Sequence, residues 1–294
     1  MKRAFLAAAA LLSTAALAAD PEHAKSVEAW RARVDESLRA DNGWLTLAGR
    51  CPLKMGENSF GTGENNDIVF PKGLGPERIG VFVVAPGKVA LRLAPGVTMA
   101  KDGQSFSERV MGTDSDKRDW VTMGRAAMHV IERDGRYILR LADNESLVRS
   151  GFQGRVWYGV NDAYWVDARF VPYAPGRKVP IVNVLDEVSD EPSPGYVEFK
   201  LGGKTQRLDV VGDDDGLFII FRDDTAGKTT YKPGRFLYVE KKPEPNKPFK
   251  LDLNRAYNPP CAFSEFTTCP LPPQQNILKV KVEAGEKYPP RRAG

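Results

Sequence analysis

The sequence predicts a mainly β protein, built of antiparallel sheets of the sandwich or barrel type, with one amphipathic helix near its N-terminal end. Two observations predict this class. From residue 44 onward, runs that alternate apolar and polar residues recur between clusters of Gly, Pro, Asn and Asp, as in half-buried strands. No regular alternation of strand and helix accompanies these runs, which argues against a parallel α/β sheet.

Residues 1–19 have the features of a secretory signal peptide. Lys2 and Arg3 precede an apolar run, and small residues stand before Asp20. We expect cleavage near Ala18 or Ala19 and a periplasmic or secreted location in a bacterial cell. The apolar run is shorter than the roughly 20 residues that span a bilayer, and no later segment approaches that length, so we predict no transmembrane segment.

The next segment predicts the amphipathic helix. In AKSVEAWRARVDESLRA, residues 24–40, apolar residues recur every three or four positions and therefore share one face. We expect this face to pack on the core of the protein. An Asp-Asn-Gly sequence at 41–43 ends the helix, and strands begin at residue 44. The apolar face consists of Val27, Trp30, Val34 and Leu38.

Five later segments predict strands or hairpins. Asp134-Gly135 and Gly202-Gly203 predict tight hairpins, because a two-residue turn of the primed type needs positive φ at both central positions. A Pro and Gly cluster near residue 172 separates two groups of strands. We therefore predict a helix plus sandwich-like region over 20–172 and a C-terminal β region over 173–294. The strand segments are 81–94, 128–143, 164–173, 195–211 and 217–221.

Charge and motif content disfavour several classes of protein. The chain has 42 Lys and Arg against 38 Asp and Glu, and loss of the signal peptide brings it closer to neutrality. We therefore predict no nucleic-acid partner, since such proteins usually carry a basic stripe. The sequence has no phosphate-binding glycine loop, dinucleotide fingerprint or Gly-x-Ser-x-Gly motif, so we predict no cofactor. With two histidines it has no His-rich metal motif, and we predict no metal site.

Neither histidine is marked as a general base. His23 follows directly after the signal peptide, where we expect a flexible segment. His129 lies in a predicted strand between Met128 and Val130, where a packed and satisfied histidine is the simpler interpretation.

Polar residues concentrate in the C-terminal third, on two predicted strands and the turns that follow them. Alternation along a strand places Asp252 and Asn254 on one face and Arg255 and Tyr257 on the other. Such strands can line a polar pocket, although a surface lattice of ion pairs would show the same pattern. The predicted ligand-binding residues are Asp223, Arg235, Asp252, Arg255, Tyr257 and Asn258.

These segments carry a family resemblance. SPGYVEF, FRDDTAGKTTYKPGRFLYV, LDLNRAYNPPCAF, TCPLPPQQN and VEAGEK follow GWLTLAGRCPLKMGENSFGTGENNDIVFP in this order. Together they resemble the domain-of-unknown-function 1684 (DUF1684) family from about Trp30 to Lys287. The resemblance implies a shared fold and a shared site but brings no established activity. Residues 49–53 depart from it, because an aromatic-bearing segment is expected there.

Cys261 and Cys269 lie eight residues apart in a proline-rich loop. In an exported protein we predict that they form a disulfide, which would make the loop a scaffold for the site. A nucleophilic Cys261 is the alternative, but it would need a thiolate and a nearby base. Cys51, the third cysteine, is then without a disulfide partner.

Three classes of function follow from these residues. We favour a binding protein for a small polar or anionic molecule, anchored by Arg235 and Arg255, because a guanidinium matches carboxylate and phosphate groups. A hydrolase that uses Asp223 or Asp252 as acid or base, or Cys261 as nucleophile, is the second. A structural cell-envelope module without a ligand is the third. No feature of the sequence indicates an oligomeric state.

Overall fold

The structure is a computed structural model that describes residues 19–114, 118–133, 135–212 and 216–288. Within these ranges the chain forms several antiparallel sheets and one long N-terminal helix, with no closed barrel, so the predicted fold class is confirmed. Residues 1–18 of the predicted signal peptide lie outside the described ranges. None of the helices in the described ranges has the length and apolar character needed to cross a membrane.

Helix α1 spans Pro21–Arg39, which confirms the predicted amphipathic helix. It begins earlier than its apolar stripe, because the Asp20 carboxylate accepts the backbone N–H groups of Glu22 and His23 and Pro21 fits the first turn. His23 therefore lies in an ordered first turn, and the expectation of a flexible segment there is wrong. Val27 and Leu38 of the predicted apolar face are buried.

Residues 47–143 form two sheets, which we call the sandwich. A six-stranded sheet has the order β1-β11-β10-β9-β6-β7, and a five-stranded sheet has the order β3-β2-β4-β5-β8. Phe60 and Phe82 of the second sheet belong to the same buried cluster as Met128 and Leu139 of the first. The strands are β1 (Leu47–Pro52), β2 (Gly56–Gly61), β3 (Ile68–Val69), β4 (Gly80–Ala85), β5 (Lys88–Leu93), β6 (Met99–Lys101), β7 (Gln104–Phe106), β8 (Glu108–Met111), β9 (Val121–Met123), β10 (Ala126–Arg133) and β11 (Arg136–Asp143).

The later strands form a separate four-stranded sheet and two hairpins. The sheet has the order β16-β15-β12-β19, and β13 pairs with β14 and β17 with β18. Phe170 and Val197 of the sheet share a second buried cluster with Ile219 and Leu237 of the last hairpin. The elements are α2 (Leu147–Ser150), β12 (Trp165–Pro172), β13 (Lys178–Val182), β14 (Val188–Pro192), β15 (Gly195–Leu201), β16 (Lys204–Asp209), β17 (Leu217–Phe221), β18 (Arg235–Val239) and β19 (Pro248–Asp252).

Both predicted tight hairpins occur. Gly202 and Gly203 have φ of 60° and 73° between β15 and β16, as a primed turn requires. Arg133 pairs with Arg136 at the end of the β10–β11 hairpin, although Asp134 itself lies outside the described residues. The domain boundary at residues 172–173 stays a prediction.

Helix α1 contacts the C-terminal part of the chain, far from its own place in sequence. Arg31 donates from Nη2 to the carbonyl of Asn254 at 3.4 Å, and the Trp30 ring meets the rings of Trp157 and Tyr257 edge-on. The helix thus covers the ends of strands that come more than 130 residues later, and this crossing creates the candidate site.

Candidate functional site

A pocket of about 570 Å³ lies between the first half of α1 and the ends of β12, β18 and β19. We call it the helix pocket. Its volume is in the range of small-molecule sites, and its walls combine aromatic rings with charged groups, as such sites commonly do. The aromatic and charged lining residues include Trp30, Trp165, Tyr238, Lys250, Asp252 and Arg255.

His23 joins the helix to the sheet at this pocket. Its Nδ1 lies 2.7 Å from Asp162 Oδ1 and its Nε2 lies 3.0 Å from Asp252 Oδ2. The imidazole also stacks on the Trp165 ring, with 4.1 Å between centroids. His23 therefore links α1 to Asp162 and Asp252, and both of its ring nitrogens face carboxylates.

The carboxylates on either side of His23 are also engaged. The backbone N–H of Asp20 and then the His23 ring hold the pKa of Asp162 below its usual range. Asp252 Oδ1 accepts from the backbone and the side-chain nitrogen of Asn254, at 3.1 and 3.0 Å. Asp252 is thus placed to hold the pocket together rather than to act as an unbonded acid or base.

Arg255 presents an open edge to the same pocket. Its Nε lies 3.2 Å from Asp252 Oδ2, and its Nη2 donates to Ser26 Oγ at 2.7 Å. Among the described residues no hydrogen bond engages Nη1, and the side chain is 26% exposed. The Arg255 guanidinium is therefore held in place by Asp252 and Ser26, and it retains N–H groups that can donate to a ligand.

Tyr257 forms an inner wall of the pocket. Its backbone pairs with Phe236, with hydrogen bonds of 2.8 and 2.9 Å in the two directions. Burial raises the pKa of its hydroxyl to about 12, so the phenol is neutral at physiological pH. Tyr257 also borders a second cavity on its other side.

Asp223 and Arg235 lie outside the helix pocket, as a buried ion pair. Arg235 Nη2 donates to Asp223 Oδ2 at 2.8 Å, and each side chain is only 1% exposed. Arg235 also donates to the carbonyls of Val282 and Ala284, while Asp223 Oδ1 accepts from Val282 and from Thr225. The pair fastens the C-terminal segment to β17 and β18.

Asn258 also attaches the C-terminal segment to the rest of the chain. Its backbone N–H donates to Glu286 Oε2 at 2.7 Å, and its side chain donates to the Lys287 carbonyl at 3.1 Å. Glu286 also pairs with Arg155 at 2.6 Å. Burial raises the pKa of Glu286 to about 7 against the opposing attraction of Arg155.

The structure places Cys261 and Cys269 at disulfide distance, with Cα atoms 6.1 Å apart, which confirms the predicted pair. The Tyr231 hydroxyl donates to the Cys261 carbonyl at 3.1 Å. A bridged Cys261 has no thiolate, so the nucleophile alternative loses its reacting group. Cys51 is free and half-buried, and burial raises the pKa of its thiol.

Half of the predicted ligand-binding residues thus share one pocket, namely Asp252, Arg255 and Tyr257. The prediction that Asp252 and Arg255 lie on opposite faces of a strand is wrong, because β19 ends at Asp252 and the 3-10 turn Leu253–Arg255 brings Arg255 back to the Asp252 carboxylate. Their part in ligand binding stays a prediction. Sequence reasoning missed His23, Trp30 and Trp165 as pocket residues, because no local pattern marks a helix residue that meets a strand more than 130 residues away.

Fold and pocket together define a mainly β protein in which an N-terminal helix closes a pocket at the ends of C-terminal strands. Residues 150–287 match the model of a family described as protein of unknown function (DUF1684), which confirms the predicted family over this part of the chain. The solution NMR structure of an uncharacterized protein of Haloarcula marismortui is 28% identical, with a TM-score of 0.40, over 47% of this chain and 78% of that one. None of the curated proteins matches the chain.

Proposed function

We propose that the protein binds a small polar molecule in the helix pocket, with Arg255 holding a carboxylate or phosphate group of that molecule. The observation that carries the proposal is the open edge of the Arg255 guanidinium, which Asp252 and Ser26 hold in place inside the pocket. A positioned guanidinium fork matches planar or tetrahedral oxyanions, and its fixed position reduces the entropy lost on binding.

The other charges of the pocket restrict the ligand further. Glu22 and Glu240 lie on its lining with Lys250, whose Nζ is 2.8 Å from Asp167. Because Asp252 lies beside Arg255 and Glu22 and Glu240 also line the pocket, a polyanion would be repelled. The pocket therefore favours a ligand with one anionic group and additional neutral or cationic polar groups.

A thermal-shift screen tests this proposal. A panel of amino acids, sugar phosphates and small carboxylates should contain a compound that raises the melting temperature, because it binds the folded state only. Arg255→Ala should remove that rise. Arg92→Ala, at an exposed position of the sandwich, is the matched control and should retain it.

Two results would contradict the proposal. One is an equal temperature shift in the wild type and in Arg255→Ala. The other is a panel without any shift, which would favour a structural module without a ligand.

The same geometry gives less support to the hydrolase alternative. Asp223 is enclosed with Arg235, and both nitrogens of His23 face carboxylates. Asp252 is bonded to His23 and Asn254, so it lacks an open position at which to move a proton.

We also propose that the chain is exported and cleaved after Ala19. In support, the backbone nitrogen of Asp20 lies 2.6 Å from Asp162 Oδ2. Cleavage of the Ala19–Asp20 peptide bond would turn the Asp20 nitrogen into an ammonium group. This group would form a charge-assisted hydrogen bond with the Asp162 carboxylate. The Cys261–Cys269 pair is in keeping with an oxidising compartment.

Intact mass spectrometry of the periplasmic fraction tests export. We expect a chain that begins at Asp20 and has lost two hydrogens to the disulfide. A full-length chain confined to the cytoplasm would contradict this proposal, whereas ligand binding would be unaffected by that result.

A further inference from the structure

A second cavity, of about 610 Å³, lies on the other side of Tyr257. We call it the arginine cavity. The second half of α1 and the outer face of β10 and β11 form its walls, and Arg155 and Tyr257 close it from the C-terminal side. It shares Val34 and Tyr257 with the helix pocket but does not include Arg255.

Strand register explains why basic groups line this cavity. Arg140 on β11 pairs with Arg50 on β1 and with His129 on β10, so the three side chains point to the same face of the sheet. The neighbouring residues Leu139 and Leu141 point to the opposite face, into the sandwich core. Alternation along one strand therefore produces a polar outer face behind an apolar core.

Arg140 is a buried cation that has no anionic partner in the described part of the chain. Arg140 is 7% exposed, and its Nη1 donates to the Phe266 carbonyl at 3.2 Å, its one hydrogen bond to the residues that the structure describes. No carboxylate lies within 4.0 Å of it among the residues that the structure describes. Burial, and then the nearby charges of Arg133 and Arg50, lower its pKa to about 10. An unpaired buried charge is costly, and a bound anion would offset that cost.

His129 lines the same cavity and carries a polar atom that is not hydrogen-bonded within the ranges described. The residue is 3% exposed, and its Nδ1 is buried without a hydrogen-bond partner among the residues described. Burial, and then the charge of Arg140, lower its pKa to about 4, so the ring is neutral at physiological pH. A neutral imidazole with its proton on Nδ1 can donate one hydrogen bond. The ring packs on Trp120, with 4.1 Å between centroids, which limits its movement.

The charges of the lining leave a positive excess. Four arginines face two aspartates, and among the described residues Arg118 and Arg140 have no carboxylate within ion-pair distance. Both guanidinium groups lie over the Trp44 ring, at 5.6 and 5.5 Å from its centroid. The other charged lining residues have partners of their own: Arg133 with Asp114, Arg155 with Glu286, and Asp41 with Arg149.

We propose that the arginine cavity is a second binding site, which takes a small oxyanion, either a carboxylate or a phosphate. The guanidinium groups of Arg140 and Arg118 bind the anion, and Nδ1–H of His129 donates a further hydrogen bond. Both guanidinium groups contact the Trp44 ring, at 5.6 and 5.5 Å from its centroid, which places them near one another. This site goes beyond the helix pocket, because its anchors lie on the sandwich and its charge favours a simple anion.

The two histidines of the chain make a site-resolved experiment possible. NMR signals of the two imidazole rings are assigned with His129→Gln, which removes one of them. Inorganic phosphate and malonate are then titrated separately at constant pH and ionic strength, with chloride as the reference salt. We expect a saturable shift of the His129 signal with phosphate or malonate and an unchanged His23 signal. The more effective anion identifies the chemistry.

Variants test which residues bind. Arg140→Gln should weaken the response of His129 about tenfold or more, as expected for the loss of hydrogen bonds to a charged group. Arg118→Gln changes an exposed side chain and should weaken it as well, without risk to folding. Arg255→Ala and Arg92→Ala should leave it unchanged, which separates this site from the helix pocket.

Three results would overturn the proposal. The first is a His129 signal that neither anion shifts in a saturable way. The second is an equal response to chloride, which would indicate ionic screening only. The third is a response that persists at wild-type affinity in both Arg140→Gln and Arg118→Gln.

Discussion

The guanidinium group occurs in three different environments in this protein, at Arg235, Arg140 and Arg255. Arg235 is enclosed, is paired with Asp223 and donates to backbone carbonyls, so it fastens the chain. Arg140 is enclosed and has no carboxylate partner within the described ranges, and Arg255 is partly open to a pocket. The role of an arginine in this protein thus follows from its partners and its exposure.

Two buried titratable residues should give the stability of the protein opposite dependences on pH. Glu286 has a folded pKa of about 7, above the unfolded value of 4.5, so its contribution to stability falls as pH rises between these values. His129 has a folded pKa of about 4, below the unfolded value of 6.5, so its contribution is lost as pH falls through this range. Each effect is on the order of 3 kcal/mol over the full range.

Urea unfolding between pH 4 and pH 7 measures both effects against the wild type. Glu286→Gln should make the free energy of unfolding rise more steeply with pH, because the falling contribution is removed. His129→Gln should make it rise less steeply or fall. Parallel pH profiles for the wild type and both variants would show that neither residue has a shifted pKa.

At the next scale, the loop that contains Cys261 and Cys269 supports both sides of Tyr257. The two cysteines pack in a small cluster with Ile220 and Phe236, and the Phe266 carbonyl within the loop accepts the hydrogen bond of Arg140. The loop therefore connects the last hairpin to the sandwich face of the arginine cavity.

Loss of the disulfide should lower the free energy of unfolding by roughly 2–3 kcal/mol, the loop-entropy value for a bridge this short. The double variant Cys261→Ser, Cys269→Ser and the reduced wild type should show the same loss in urea unfolding. Cys51→Ser is the matched control: since Cys51 is outside the bridge, this variant should be as stable as the wild type without reductant and should lose the same stability on reduction. Equal stability with and without reductant in the wild type would contradict a structural bridge.

Helix α1 is the element on which both cavities depend. Its first half lines the helix pocket and its second half lines the arginine cavity. His23 and Arg31 attach it to residues beyond position 250, through Asp252 and the Asn254 carbonyl. If α1 packed only on residues near it in sequence, both cavities would lack the wall that this helix forms.

For the molecule as a whole, the cavities lie where parts of the chain distant in sequence meet. The sandwich contributes Arg140 and His129, the C-terminal strands contribute Asp252 and Tyr257, and α1 lies between them. Each part has its own buried cluster, and the polar residues between the clusters are those available for binding.

Local patterns in the sequence were sufficient to predict the fold class, helix α1, both tight hairpins and the cysteine pair. Alternation, helical periodicity and turn chemistry act over a few residues, so their signals are complete within a short window. The family could also be predicted, because its motifs are continuous segments of the sequence. Two of these segments, around Arg235 and Asn258, attach the C-terminal end.

Which charged residues meet, and which remain open, was decided only by tertiary packing. Asp223 and Arg235 look like site residues in sequence, but burial turns them into an enclosed pair. His23 looks like part of a loose terminus, but it meets Asp252 across 229 positions of the chain. The energy of a charge depends on its solvation and on its partners in space, and neither quantity is encoded in the spacing of residues along one strand.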